Sequence, residues 1–221
     1  MPIVAYTLTA LAAYLLGSIP TGFLVAKARG IDIRAVGSGN IGATNVFRQL
    51  GTPAGVMVLL ADALKGWLAV AGIAYWCGQI FYSSAGPQAR EWLRIGAGFA
   101  AVLGHNYTCW LHFKGGKGIA TSAGVLAGLV PWALLIILGI WLIVFALKRY
   151  VSLASICASA GLPFATWLTG GSLTLITLTA VMTTLAIYKH KANIQRLMSG
   201  TESRIGARKS LSPPEAPETK T

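Results

Sequence analysis

The composition of this chain excludes an ordinary soluble domain. Of its 221 residues, 55% are hydrophobic and only 11% are charged, whereas a soluble domain carries about 25% charged residues. Lys and Arg outnumber Asp and Glu by 18 to 6, and three scattered cysteines do not make a disulfide framework. We therefore expect an integral membrane protein with basic loops.

Seven apolar stretches are predicted to form helices. In chain order they are Ile3–Ala26, Pro53–Trp76, Ile95–Leu111, Ile119–Val130, Pro131–Leu147, Val151–Leu168 and Ser172–Tyr188. No cleavable leader precedes the first stretch, so we expect it to be a membrane segment itself. The predicted fold is an all-α, polytopic membrane helical bundle.

The segment 119–147 is long for one membrane crossing and short for two, because a bilayer core needs about 20 apolar residues of helix. Cytoplasmic loops carry an excess of Lys and Arg, and Lys114 and Lys117 precede this segment. Two crossings return Lys148 and Arg149 to the same side as those lysines. We therefore predict seven transmembrane helices, some of them short, with the N-terminus outside and the C-terminus cytoplasmic. Five spans are the alternative.

Two polar, glycine-rich segments, 37–48 and 113–118, interrupt the apolar sequence. Glycine lets backbone N–H groups approach an anion closely, and Arg and Lys supply the countercharge. We therefore predict that both segments bind phosphate beside the membrane. The candidate cations are Arg48, Lys114, Lys117 and Arg196, the candidate amides belong to Gly39, Gly42, Gly115 and Gly116, and further hydrogen bonds are expected from Ser38, Asn40, Thr44 and Asn45.

Two polar features stand inside the apolar stretches. Asp62 and Lys65 are three residues apart, hence on one face of a helix where they can neutralise each other. The sequence is compatible with a pair that takes part in function and with one that only joins two helices. Pro20, within Gly17–Gly22, is predicted to break the first helix, either to widen a pocket or only to improve packing.

The sequence offers no cofactor site. It lacks a carboxylate cluster for a metal and the Cys/His spacing of a zinc site. It also lacks a P-loop and a nucleophile elbow. No metal or cofactor is expected, and no nucleic-acid partner.

Three motifs resemble those of the bacterial acyl-phosphate:glycerol-3-phosphate acyltransferase family. They are the segment from Gly37 to Arg48, the segment from Gly104-His105-Asn106 through Lys114-Gly115-Gly116-Lys117-Gly118 to Thr121, and the segment from His190 through Asn193 and Arg196 to Glu202. Shorter matches are Gly17-Ser18-Ile19-Pro20, Asp62-x-x-Lys65-Gly66 and Lys148-Arg149-Tyr150-Val151-Ser152. The resemblance thus covers residues 17–202.

This resemblance implies acyl transfer from a fatty acyl phosphate to the sn-1 hydroxyl of glycerol 3-phosphate. The products are lysophosphatidate and phosphate, and neither coenzyme A nor a metal takes part. The enzyme would have seven helices and a cytoplasmic site in the bacterial inner membrane. The residues that the resemblance places in catalysis are Ser38, His105, His190 and Asn193, and it adds Ser152 to the substrate-binding residues.

Three groups are candidates to accept the proton of the attacking hydroxyl. His105 and His190 have unperturbed pKa values near neutral, and a phosphate oxygen of the substrate, with a pKa near 6, is the third. A covalent acyl intermediate on Ser38 is disfavoured because no base is visibly paired with that serine. The acyl chain is expected in a groove that involves the bent first helix and the short fourth.

Two other function classes fit part of the sequence. A transporter or flippase for a phosphorylated metabolite or lipid also uses broken helices and buried charges, but we find no internal repeat. A non-catalytic scaffold explains the basic loops only. The expected organisation is an acyltransferase domain, 1–202, and a disordered cytoplasmic tail, 203–221, whose partners are the two substrates and membrane lipids.

Overall fold

The computed structural model describes residues 2–84 and 86–206. Within these ranges the regular secondary structure is entirely helical. The α-helices are α1 (Pro2–Ser18), α2 (Thr21–Lys27), α3 (Ala43–Leu50), α4 (Thr52–Leu68), α5 (Ala74–Phe81), α6 (Pro87–Asn106), α7 (Ile119–Leu129), α8 (Pro131–Lys148), α9 (Val151–Leu168), α10 (Leu173–Lys189) and α11 (Lys191–Met198). A π-helical turn, Ala69–Ile73, joins α4 to α5, and a short 3-10 turn, Cys109–Leu111, follows α6. From residue 207 onward, the predicted tail lies outside the described residues.

The helices confirm the predicted all-helical membrane fold. In the described part of the chain, four segments are long and apolar enough to cross a membrane: Ile3–Lys27, Thr52–Phe81, Pro131–Lys148 and Val151–Leu168. A fifth consists of α10 and α11, which meet at an angle of 57°. The helices α6 and α7 are not in this set, so the seven-span arrangement stays a prediction.

The helix predicted at Ile95–Leu111 is shifted towards the N-terminus. It begins at Pro87, a residue well suited to a first helical turn, and ends at Asn106. The prediction started too late because Arg90, Glu91 and Arg94 interrupt the apolar pattern. These side chains lie in the first turns of α6, where they do not break the helix.

The predicted break in the first helix lies between Ser18 and Thr21. Pro20 has no N–H group, so carbonyl groups of the preceding turn need other donors. Thr108 Oγ1 donates to the carbonyl oxygen of Ser18 at 2.5 Å, and Lys65 Nζ donates to that of Ile19 at 2.9 Å. Side chains from other segments therefore hold the break in place.

The short helix α7 packs backbone to backbone against α4. A Cβ atom at Gly66 on α4 would overlap the carbonyl oxygen of Thr121, and one at Gly124 on α7 would overlap that of Ala63. Small residues permit this close approach in membrane bundles. The packing brings the start of α7 beside the polar residues of α4.

Candidate active site

A cavity of about 550 Å³ runs from a polar end into the apolar interior. The polar end is surrounded by the loop before α3 and by the start of α7. The first turn of α9 and the last turn of α10 complete it. Most of the predicted site residues line it, namely Ser38, Asn40, Gly42, Thr44, Asn45, Arg48, His105, Lys117, Ser152, His190 and Asn193. The remaining predicted residues, Gly39, Lys114, Gly115, Gly116 and Arg196, do not line it.

The four glycine N–H groups predicted to bind phosphate already donate to the protein itself. Gly39 N donates to the carbonyl oxygen of Val36 at 3.1 Å, and Gly42 N donates to Asn40 Oδ1 at 2.8 Å. In the second segment, the N–H groups of Gly115 and Gly116 donate to the carbonyl oxygens of Asn106 (3.2 Å) and His105 (3.0 Å). The structure therefore does not support a phosphate cradle made of these amides.

Asn45 organises the first loop. It is 2% exposed, and its Nδ2 lies within 3.1 Å of the carbonyl oxygens of Ile33, Val36 and Asn40. Its Oδ1 accepts the N–H of Ser38 at 3.0 Å. Because these contacts occupy the amide, Asn45 shapes the loop that presents Ser38 to the cavity.

The second glycine-rich segment wraps the end of α6 and ends at the start of α7. Gly116 packs so closely on the His105 ring that a Cβ there would overlap Nε2. The next residue, Lys117, donates from Nζ to Asn193 Oδ1. Gly118 then takes a left-handed conformation (φ 80°) from which α7 begins. The glycines thus serve to bring Lys117 into the cavity.

Lys117 is a partly buried cation among other cations. Burial lowers the pKa of its amine to about 8, and the nearby charges of Arg196, Arg48 and Lys189 act in the same direction, while Glu202 opposes them. The amine is still mostly protonated at neutral pH. This end of the cavity therefore carries an excess of positive charge.

Glu202 is the residue that the sequence reasoning missed. It is 8% exposed and accepts hydrogen bonds from Ser152 Oγ (2.9 Å), Asn193 Nδ2 (2.9 Å) and Arg196 Nε (2.8 Å). Burial by itself raises the pKa of this carboxyl, but the three bonds outweigh it and lower the pKa. The sequence did contain a signal for Glu202 as a site residue, because this residue ends the third motif. Glu202 joins the start of α9 to α11.

The two arginines have different surroundings. Arg48 lines the cavity and donates from Nη2 to the carbonyl oxygen of Ser203 at 3.1 Å. Arg196 lies behind the cavity wall, with its Nε paired to Glu202. Arg48 is thus placed to meet a ligand directly, whereas Arg196 holds Glu202.

The two candidate histidines differ in their contacts. His190 Nδ1 lies 2.7 Å from the carbonyl oxygen of Ala186, and since a carbonyl only accepts, Nδ1 carries the proton and Nε2 is free to accept. Burial, followed by the charge of Lys117, lowers the pKa of His190 to about 4. His105 Nδ1 lies 3.7 Å from Asp62 Oδ1, which is too far for a hydrogen bond.

Asp62 and Lys65 form a buried ion pair. Asp62 Oδ1 lies 2.8 Å from Lys65 Nζ and accepts the hydroxyl of Thr21 at 3.0 Å. Lys65 also holds the carbonyl of Ile19 at the helix break. The pair therefore ties α4 to the helix break and to the start of α2, which supports the structural reading.

Replacing Asp62 by Asn is expected to destabilise the protein by about 3–5 kcal/mol, because it leaves the buried Lys65 charge unpaired. Thermal unfolding in detergent measures the loss. The double variant Asp62→Asn, Lys65→Met removes both charges and is expected to recover at least half of it. A single variant as stable as the wild type would contradict the structural role.

Comparisons with known proteins agree with this site. The family model "Glycerol-3-phosphate acyltransferase" matches residues 7–200. A glycerol-3-phosphate acyltransferase of Geotalea daltonii is 48% identical over 191 residues, which cover 86% of this chain and 93% of the relative. One of Geobacter metallireducens is 50% identical over 195 residues, covering 88% and 95%.

Two crystal structures of PlsY (YgiH), an integral membrane glycerol 3-phosphate acyltransferase, are also similar. The glycerol 3-phosphate form has a TM-score of 0.81 at 41% identity and covers 91% of this chain and 96% of its own. The lysophosphatidic acid form has a TM-score of 0.78 at 40% identity, with 91% and 95% covered. The resemblance inferred from the three motifs is confirmed: this chain belongs to the glycerol-3-phosphate acyltransferase family of integral membrane proteins.

Proposed function

We propose that this protein transfers a fatty acyl group from acyl phosphate to the sn-1 hydroxyl of glycerol 3-phosphate. The products are lysophosphatidate and inorganic phosphate. One observation carries the proposal: a single cavity joins a cationic end, with Lys117 and Arg48, to an apolar interior. Both substrates are anionic at one end, and the acyl donor is apolar at the other. The substrate and product named in the two PlsY structures agree with this assignment.

Side chains, rather than backbone amides, hold the phosphates in this proposal. Lys117 and Arg48 supply the countercharge from the cavity wall, and the hydroxyls of Ser38 and Thr44 add hydrogen bonds. Asn193 orients Lys117 through its Oδ1. The role of Gly115, Gly116 and the rest of their loop is to position Lys117.

The reaction needs no nucleophile from the protein, because an acyl phosphate is already activated. The glycerol hydroxyl oxygen attacks the acyl carbon, the bond from that carbon to the phosphate oxygen breaks, and phosphate leaves. The proton of the hydroxyl passes to a phosphate oxygen. His190 lines the cavity with its Nε2 free to accept a hydrogen bond, and this nitrogen serves to orient the hydroxyl.

The acyl chain occupies the apolar part of the cavity. Its walls come from α7, α8, α9 and α10, with side chains such as Trp141 and Met182, and from Val56 and Leu59 on α4. Trp141 is held by a hydrogen bond from Nε1 to Ser155 Oγ at 3.2 Å. The expected contribution of the short helix α7 fits this arrangement, but no described residue of α1 or α2 lines the cavity.

We also propose seven crossings, with the N-terminus outside and the site on the cytoplasmic side of the bacterial inner membrane. Arg94, in an early turn of α6, donates to the carbonyl of Gly128 near the end of α7, which supports antiparallel crossings by these two helices. After α8, the carbonyl oxygen of Arg149 accepts the N–H of Ile205 beside the cationic end. This supports a return of α8 to the cytoplasm.

Cysteine labelling tests this topology. In a protein with its native cysteines replaced, Lys148→Cys is expected to react with a membrane-impermeant reagent only after the cytoplasmic side is opened. Labelling from the periplasm in intact cells would overturn the seven-span arrangement. The tail is tested separately. Removal of residues 207–221 keeps the contacts of Ser203 with Arg48 and of Ile205 with Arg149, and it is expected to leave activity unchanged.

Phosphate release from palmitoyl phosphate by the purified protein tests the function. We expect release to require glycerol 3-phosphate and to yield lysophosphatidate, and Ser38→Ala to reduce both. If folded protein released no phosphate, the transporter or flippase alternative would gain support, and uptake of the phosphorylated substrate into vesicles would then be measured.

A further inference from the structure

We propose that four side chains, Leu126, Leu134, Leu162 and Met182, form the floor of the acyl cavity and set the length of acyl chain that the enzyme uses best. The proposal rests on the acyl-transfer function above and concerns its specificity. Each side chain comes from a different helix, α7, α8, α9 and α10 respectively.

The residues of α9 that line the cavity follow one face of the helix. From the polar end they are Ser152, Ser155, Ala158 and Leu162, together with their neighbours Val151 and Ser159. The next residues on that face, Ala165 and Thr166, are completely buried and do not line the cavity. The cavity therefore ends at Leu162, which is 4% exposed.

On the other three helices, too, the lining ends partway along the helix. On α10 the lining ends at Met182, and Thr179 one turn further is completely buried. On α8 it ends at Leu134, beyond which Val130 is buried. On α7 the last lining residue is Leu126, which is 2% exposed.

The floor rests on a packed layer of side chains. Leu126 and Leu162 belong to a buried apolar cluster that continues below them through Val130, Ala133 and Ala165. Protein interiors of this kind do not yield to an extra methylene without strain. A chain that reaches the floor therefore cannot lengthen along the same path.

The depth of the cavity corresponds to a medium-length chain. Ten residues of α9 separate Ser152 from Leu162, which is about 15 Å at the helical rise per residue. A C–C bond of about 1.5 Å advances an extended, zigzag chain by only about 1.25 Å, so a chain of about 12 carbons spans that distance. Some apolar lining residues are also exposed, among them Val56 and Leu59 on α4 and Leu138 on α8, and they mark a lateral opening. Carbons beyond about the twelfth turn aside there into lipid and gain no further contact with the floor.

The test compares kcat/KM for octanoyl, dodecanoyl, hexadecanoyl and octadecanoyl phosphate, with glycerol 3-phosphate saturating. Ala158→Leu raises the floor by one turn, and we expect it to reduce the ratio of hexadecanoyl to octanoyl activity about tenfold. Leu162→Ala deepens the cavity, and we expect that ratio to rise about fourfold for each further methylene that becomes buried. Leu168→Ala, on the same helix but 60% exposed and outside the cavity, is expected to leave all ratios unchanged.

Ratios within one preparation separate specificity from folding, because loss of folded protein scales every substrate alike. If Ala158→Leu does not fold, Leu134→Ala tests the floor from α8 and is expected to favour longer chains. An active wild type whose ratios stay constant in these variants would overturn the floor assignment alone. A wild type inactive on all four substrates would overturn the proposed function instead.

Discussion

Replacing Lys117 by Ala is expected to lower kcat/KM for glycerol 3-phosphate by about 10²–10³-fold, the cost typical of losing one group that stabilises developing charge in a closed site. The amine is partly buried at the cationic end of the cavity and is held by Asn193. Steady-state phosphate release measures the effect. Lys114→Ala is the matched control, because this lysine stands in the same loop but is exposed and does not line the cavity. Equal effects of the two substitutions would contradict the assignment.

The pH dependence of the same enzyme gives a second measurement on Lys117. Because its pKa is lowered to about 8, the amine is charged below that pH and neutral above it. We expect kcat/KM to fall above about pH 8, close to tenfold per pH unit, and kcat to fall at a higher pH because bound phosphate favours the charged amine. Lys117→Arg retains its charge at high pH, so its profile is expected to lack this decline. A decline that persists in Lys117→Arg would assign the titration to another group.

The second large effect is expected from Glu202→Ala. The substitution removes the acceptor of three hydrogen bonds and leaves Arg196 without its partner beside Lys117 and Arg48. We expect a loss of about 3 kcal/mol in the free energy of unfolding and a reduction of the thermal midpoint by roughly 6–12 °C. Activity is expected to fall even at temperatures where the protein stays folded, because Asn193 then no longer orients Lys117.

Two further variants separate the effect of the charge of Glu202 from the effect of its hydrogen bonds. Glu202→Gln keeps an oxygen acceptor but loses the negative charge, so its stability is expected to lie between those of Glu202→Ala and the wild type. Ser203→Ala is the control, because that residue meets Arg48 through its backbone carbonyl and the substitution leaves this contact in place. Wild-type stability in Glu202→Ala would show that the hydrogen bonds around this carboxylate contribute nothing to holding α11.

Much of the fold follows from local properties of the sequence. Long apolar runs predict membrane helices because backbone groups in lipid must bond within their own segment, and the described helices α8 and α9 match the predicted bounds to within one residue. Local rules placed the start of α6 too late, because charged side chains occupy its first turns. The motifs also predicted that Lys117, Arg48, His190 and Asn193 belong to one site, and in the structure these residues line one cavity.

The membrane class, the helices and the cationic motifs follow from the amino-acid sequence alone, because hydropathy, charge and glycine content are properties of short segments. The tertiary structure adds which partner each polar group has. It showed that the N–H groups of Gly115 and Gly116 bond to the end of α6, and that Glu202 binds Ser152, 50 residues away in the chain. It also showed that α4 and α7 to α10, rather than the first helix, enclose the apolar cavity. These outcomes depend on which helices pack together, and that is a property of the whole chain that no single segment carries.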